Sequence, residues 1–378
     1  MAVRRARHAR PGPHGQPWAS RRRVLVAAAV LVLVLGSALF GLRSLPEAPG
    51  PHRAGPPPPA GCSPCTVTAQ LVPSCGVWWG ATANPLGGES WDSALGALET
   101  TIGRTVDIAH YYHASPELFP TSEQIARARE PGKNRILLLN WKPEMGRTWA
   151  EVAAGDAVVD AAIDAEAAHL RRNFTDKFFL VVHHEPEEEV RPAGGSGYTA
   201  ADYAAMYRHV VQRLRAGGGT NAVTVMNYMG TPHWGAQPWF ADLYPGDAVV
   251  DWIAEDPYLF GEWSGHFRSA VNRLAAEHPH WPGFYTWATT AHPGKPIMLA
   301  EWGIDARLGQ AHKTRLIRSV PAALVRFPAV KALVYWNAGD VHSVGVTRID
   351  SSPGELRAYR EVGMAPPLRR RGCSPVSE

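Results

Sequence analysis

Eight short apolar runs, each ending in aromatic or polar residues, constrain this chain more than any other feature. They are Cys75–Trp79, Val106–Tyr111, Arg135–Trp141, Phe178–Glu185, Ala222–Tyr228, Val249–Pro257, Pro296–Glu301 and Ala332–Trp336. Continuous apolar runs of this length suit parallel strands buried on both faces. Helical patterns lie between several of them. Residues 156–172 place Val159, Ile163, Ala167 and Leu170 on one stripe. Thr199, with Asp202 three positions on, resembles a capping box that opens a helix over 200–216. Residues 312–327 are amphipathic apart from Pro321, which is expected to kink or divide that helix. Strands alternating with helices in this number predict an α/β fold, a (β/α)8 TIM barrel. A doubly wound sheet is the alternative, but no glycine-rich phosphate turn follows the first run.

Four further segments flank the barrel over 62–366. Residues 1–23 form a basic tail, 24–42 an apolar segment, 43–61 a Pro/Gly-rich linker and 367–378 a short C-terminal tail. The net charge of +4 misleads, because residues 1–23 hold seven arginines and no acid. The globular stretch is mildly acidic, a poor counter-ion for nucleic acid. The uncharged run Val24–Leu42 is long enough to cross a bilayer, and the arginines before it belong on the cytoplasmic side. These features predict a single-pass type II membrane protein with an extracytoplasmic barrel, or a secreted one if the segment is cleaved. In an exported chain Cys62, Cys65, Cys75 and Cys373 are disulfide candidates expected to tie the barrel ends together. Cys373 is expected to pair with one of the other three, leaving a pair to close a short local loop.

A barrel of this kind builds its site at the C-terminal strand ends. Here those ends carry Trp79, Tyr112, Trp141, Glu185, Asn227, Asp256, Glu301 and Trp336, among other aromatic and hydrogen-bonding groups. Sugar rings need flat apolar faces to stack on and polar partners for their hydroxyls. Glycosidic cleavage needs two carboxylates flanking the scissile bond. Glu185 ends the fourth run and Glu301 the seventh, nearly opposite positions around a barrel. Ion-pairing with a nearby base is the alternative for either one, though a weaker explanation for both together.

These motifs resemble clan A retaining glycosidases, and glycoside hydrolase family 26 in particular. The resemblance spans residues 75–362 and rests on His184-Glu185, Glu301-Trp302-Gly303, Asp256-Pro257-Tyr258, Trp141-Lys142-Pro143 and Trp336 taken in order. It implies that Glu185 is the general acid/base and Glu301 the nucleophile of a double displacement on a β-mannan or β-glucan. Among substrate-binding candidates, Tyr258 holds Glu301, His184 meets substrate or a carboxylate, and Asp256 contacts substrate or forms a rim salt bridge. Trp336 is expected to floor the −1 subsite, while Trp79, Trp141 and Trp234 are weaker stacking candidates. The loop Pro186-Glu187-Glu188-Glu189 departs from the neutral stretch of mannanases, and its glutamates are expected to be solvated.

The implied partner is a polysaccharide, with no cofactor and a monomeric chain. Two rivals stand beside this reading. One is a metal-dependent hydrolase using His110, His113, His183 and His184, disfavoured because the first strand offers only Trp78 and Trp79. The other is a non-catalytic glycan-binding barrel, which would not need both carboxylates.

Overall fold

The computed structural model describes residues 65–261, 265–341 and 345–369. The expectations for residues 1–61, Cys62 and Cys373 lie outside the described residues. Among the described residues, no helix is long and apolar enough to cross a membrane.

The barrel strands are β1 (Trp78–Ala83), β2 (Ile108–Ala114), β3 (Ile136–Lys142), β4 (Phe178–Val182), β5 (Ala222–Tyr228), β6 (Trp252–Glu255), β8 (Ile297–Ile304) and β9 (Val330–Asn337), while β7 (Tyr258–Leu259) is a short extra strand beside β8. They run in parallel sequence, β9 returns to β1, and β6 pairs with β8 to close the ring. The helices between them are α1 (Trp91–Ile102), α2 (Ser122–Ala128), α3 (Trp149–Ala153), α4 (Ala157–Asn173), α5 (Ala200–Ala216), α6 (Pro232–Gly235), α7 (Phe267–Val271), α8 (Phe284–Ala291) and α9 (Gln310–Leu324). Helices α10 (Pro353–Gly363) and α11 (Pro366–Arg369) follow the last strand. Leu368 is buried, so packing continues past residue 366. The α5 capping box forms as the spacing predicts, with Thr199 and Asp202 satisfying each other's backbone N–H. Pro321 does not divide α9, which continues through it to Leu324. It sits in the last turn, where the hydrogen bond it cannot donate is one of few that remain.

Side chains alternate across each strand, so one set fills the barrel and the other meets the helices. Ile108, Leu138, Phe179, Val181, Val225, Trp252, Met298 and Val334 pack inside. Below them lies the turn 66–74, held as a small loop by the Cys65–Cys75 disulfide. The indoles of Trp78 and Trp252 donate to the carbonyls of Leu71 and Gln70 at 2.7 and 2.6 Å. This bridge therefore closes a plug under the barrel floor, the short local loop expected of one pair. The floor also lies near the chain's far end, since Val77 N–H donates to the Pro367 carbonyl at 2.7 Å.

Strand β1 corrects the sequence reading most. It begins at Trp78, where the apolar run was expected to end, so its mouth end is Thr82–Ala83. Gly80 lies within it because a Cβ there would stand 2.7 Å from the Cβ of Ile108.

Candidate active site

Two local departures from strand geometry aim the carboxylates. On β8, Leu299 pairs with Leu333 and Trp302 with Tyr335, so Ala300 and Glu301 together face one residue of β9. That bulge lets Trp302 stay in the outer layer, beside Trp79 and Phe267, while Glu301 turns into the mouth. After β4 the chain takes left-handed backbone at His183 (φ 48°) and Glu185 (φ 53°). Neither is glycine, and each such residue costs of order 1 kcal/mol, a strain that recurs where side chains are aimed for function. The turn is held by backbone bonds from His183 N–H to the Trp141 carbonyl and from Glu185 N–H to the Asn227 carbonyl. The Tyr203 hydroxyl of α5 braces it from behind, donating to the His183 carbonyl at 3.0 Å.

Glu301 is buried, and both its oxygens are taken by phenols. Tyr112 donates to Oε1 at 2.5 Å and Tyr258 to Oε2 at 2.7 Å. Burial raises its pKa, and the two hydroxyls oppose that rise by stabilising the anion. Asp256 lies beneath, accepting the Glu301 N–H at 2.8 Å and the Asn227 side-chain amide at 2.6 Å. It also shares a hydrogen bond with Glu185, and burial beside two other carboxyls holds it protonated well above the ordinary range. The Glu185 carboxyl is raised to about 8, first by burial, then by the charges of Glu301 and Glu187. One mouth thus holds a carboxylate with two hydroxyl donors and a carboxylic acid that keeps its proton near neutrality. That pairing is suited to attack on one side of a bond and protonation on the other.

Trp336 from β9 stands edge-on to Tyr112 with ring centroids 5.5 Å apart, and His184 lies 5.7 Å from the same ring. Burial depresses the His184 pKa to about 3, so its imidazole is neutral. Glu185, Glu301, His184, Asp256, Tyr258 and Trp336 are therefore brought together around Tyr112. Among the described residues Asp256 forms no rim salt bridge; its hydrogen bonds run to the two glutamates and Asn227.

Trp79 and Trp141 do not join them. Trp79 is fully buried against Tyr359 at 4.8 Å, on the helix side of a strand that starts later than expected. Trp141 alternates outward from Asn140, donates to the Ser115 hydroxyl at 2.9 Å and packs edge-on against Phe119. Trp234 packs beside His233 and Trp239 on α6 and its neighbouring loop. Three of the four histidines take separate hydrogen-bond or ion-pair partners, and His184 lies against Tyr112. His110 bonds Thr82, His113 bonds Glu117 and Gln124, and His183 lies between Glu144 and Glu189.

The acidic loop after Glu185 is also corrected. Glu188 is exposed, but Glu187 is fully buried and accepts the Gly230 N–H at 3.2 Å. Burial raises the Glu187 carboxyl to about 7. Glu189 bonds Lys142 at 3.0 Å and is lowered to about 2, chiefly by His183. Sequence reasoning placed Tyr112 and Asn227 at strand ends but gave neither a role on the carboxyls. The available signal was parity, since Tyr112 shares its strand face with Ile108 and His110, and Asn227 shares one with Val223 and Val225.

No family model matches the chain. Endoglucanase H of Acetivibrio thermocellus is 26% identical over 284 residues, covering 73% of this chain and 29% of that protein. The chain thus spans less than a third of that relative's length. Among solved structures, the family 26 β-mannanase of Bacteroides ovatus superposes with a TM-score of 0.54 at 17% identity, over 78% of this chain and 90% of that one. The family 26 domain of a Prevotella bryantii endo-β-mannanase/endo-β-glucanase gives 0.52 at 14% identity, over 79% and 92%. A Bacillus endo-β-1,4-mannanase gives 0.51 at 16% identity, over 78% and 86%. The chain therefore has the fold of the family 26 glycoside hydrolases that its strand-end motifs resemble.

Proposed function

We propose that this chain is a retaining glycoside hydrolase that cleaves internal β-linkages of a mannan- or glucan-class polysaccharide by double displacement. The observation that carries this reading is the contrast between its two mouth carboxyls: Glu301 held by two tyrosine hydroxyls, and Glu185 raised to about 8. In the first step the Glu301 carboxylate attacks the anomeric carbon as the bond to the leaving sugar breaks. Glu185 gives its proton to the departing oxygen. In the second step Glu185 takes a proton from water, whose oxygen displaces Glu301 from the anomeric carbon. Asp256 positions both carboxyls through its bonds to Glu185 and to the Glu301 backbone. Trp336 lies under the reacting ring.

The substrate class is supported by proteins named endoglucanase, β-mannanase and endo-β-mannanase/endo-β-glucanase among those similar to this chain. Release of reducing ends from a panel of β-mannans and β-glucans tests it. Activity on one of these that disappears in Glu301→Ala is expected; inertness on all of them would reject the reading.

The arginines of residues 1–23 and the apolar run of 24–42 support a barrel displayed outside the membrane. Protease added to intact cells is then expected to release an active fragment. A barrel protected until lysis would contradict that placement.

A further inference from the structure

Beside the mouth, and separate from the two carboxyls, a cleft of about 360 Å³ opens between the starts of α1 and α2. Trp91, the first residue of α1, leaves 36% of its surface exposed in this wall. Its ring lies 6.2 Å from that of Tyr112, the same residue whose hydroxyl holds Glu301. Tyr112 thus faces both spaces. The Trp336 ring lies 5.5 Å from that same tyrosine, so Tyr112 links the −1 position to Trp91.

Direction follows from the position of the acid. Glu185, after β4, protonates the leaving sugar, so the aglycone departs on that side. Trp91 follows β1, next to β9 and β2 in the ring, and faces the sugars retained on Glu301. The cleft wall also carries Asp92, Glu117, Glu123, Thr121 and Gln124, which are acceptors and donors for ring hydroxyls. The Arg127 guanidinium is held by Asp92 of this wall through two bonds of 2.7 and 2.6 Å. With Asp92 paired to Arg127, the other two carboxylates of the wall, Glu117 and Glu123, disfavour an anionic glycan.

We propose that this cleft is a distal glycone subsite for a neutral hexopyranose unit, with Trp91 as its stacking platform. The assignment rests on the glycosidase reading and adds a specificity-determining residue to it. It concerns affinity for long chains, not the chemical step.

The test compares the full chain with Trp91→Ala and Trp91→Phe on hexasaccharides of β-1,4-mannan and mixed-linkage β-glucan, and on matching aryl disaccharides. In parallel, calorimetric binding of the hexasaccharides and of β-1,4-mannuronan is measured in Glu301→Ala with and without Trp91→Ala. Trp91→Ala is expected to lower kcat/KM on the hexasaccharide roughly tenfold, through KM. The loss on the disaccharide is expected to be several-fold smaller, with Phe restoring most of the hexasaccharide rate. Mannuronan is expected not to bind. Equal losses at both chain lengths, no loss at either, or preferred binding of mannuronan would each overturn the subsite. Trp91-dependent binding of a hexasaccharide that the parent chain never cleaves would overturn the glycosidase reading and leave the subsite standing.

Discussion

The contrast between Glu185 and Glu301 is set by single neighbours, so single substitutions are expected to move it. Tyr112→Phe removes one of the two donors that stabilise the Glu301 anion. Its carboxyl pKa then rises, and the acid limb of the kcat/KM profile moves to higher pH. The rate at the optimum is expected to fall about 100-fold or more, as when one preorganised donor to a reacting charge is lost. An unmoved acid limb would show that the hydroxyl does not serve this charge. Activity is lost on the alkaline side as Glu185 gives up its proton, near pH 8. Glu187 contributes to that value through its own charge, so Glu187→Gln is expected to shift the alkaline limb towards lower pH. A limb moving upward would contradict the sign. Trp336→Ala is expected to lower kcat more than it raises KM, because a −1 floor supports the distorted ring of the transition state. A pure KM effect would put Trp336 in a more distant subsite.

At the scale of elements, the accuracy of the sequence reading followed how regular each strand is. The barrel was legible because its strands are continuous apolar runs, although β4 stops at Val182, before Glu185, and β8 runs past Glu301 to Ile304. Phase was less legible. The first apolar run ends at Trp79, yet pairing with β2 and β9 carries β1 on to Ala83 and leaves Trp79 near the floor. The bulge at Glu301 and the left-handed turn at Glu185 break alternation, so counting along the strand cannot say which way those side chains point. Glu187 was hidden for a different reason. A triple glutamate reads as solvated until tertiary packing buries its first member. Gly80 tests the corrected phase. Gly80→Ala is expected to destabilise the barrel by about 2 kcal/mol, because its Cβ would stand 2.7 Å from that of Ile108. Urea unfolding with no change in midpoint would mean that β1 and β2 do not approach so closely.

For the molecule as a whole, buried acids make stability depend on pH. Burial raises the Glu166 carboxyl of α4 to about 8, and that of Glu187 to about 7. In an unfolded chain a glutamate ionises near about 4.3. Across that window the folded state binds more protons, so stability is full below about pH 4 and falls as pH rises through the folded values. Glu166→Gln keeps an acceptor for the Phe119 N–H and has no proton to lose. Its Tm is expected to exceed that of the parent by a few degrees at pH 8.5, with little difference at pH 4. A variant less stable at both values would mean that Glu166 is ionised in the fold.

The double displacement itself is tested most directly by azide rescue of Glu185→Ala on an aryl β-glycoside with a good leaving group. Such a substrate needs no proton, so Glu301 still forms the glycosyl-enzyme, which then waits for a nucleophile. Added azide is expected to restore turnover and give the β-glycosyl azide by proton NMR, the product of two inversions. An α-glycosyl azide, or no recovery at any azide concentration, would contradict the assignment of Glu301 as nucleophile and Glu185 as acid/base.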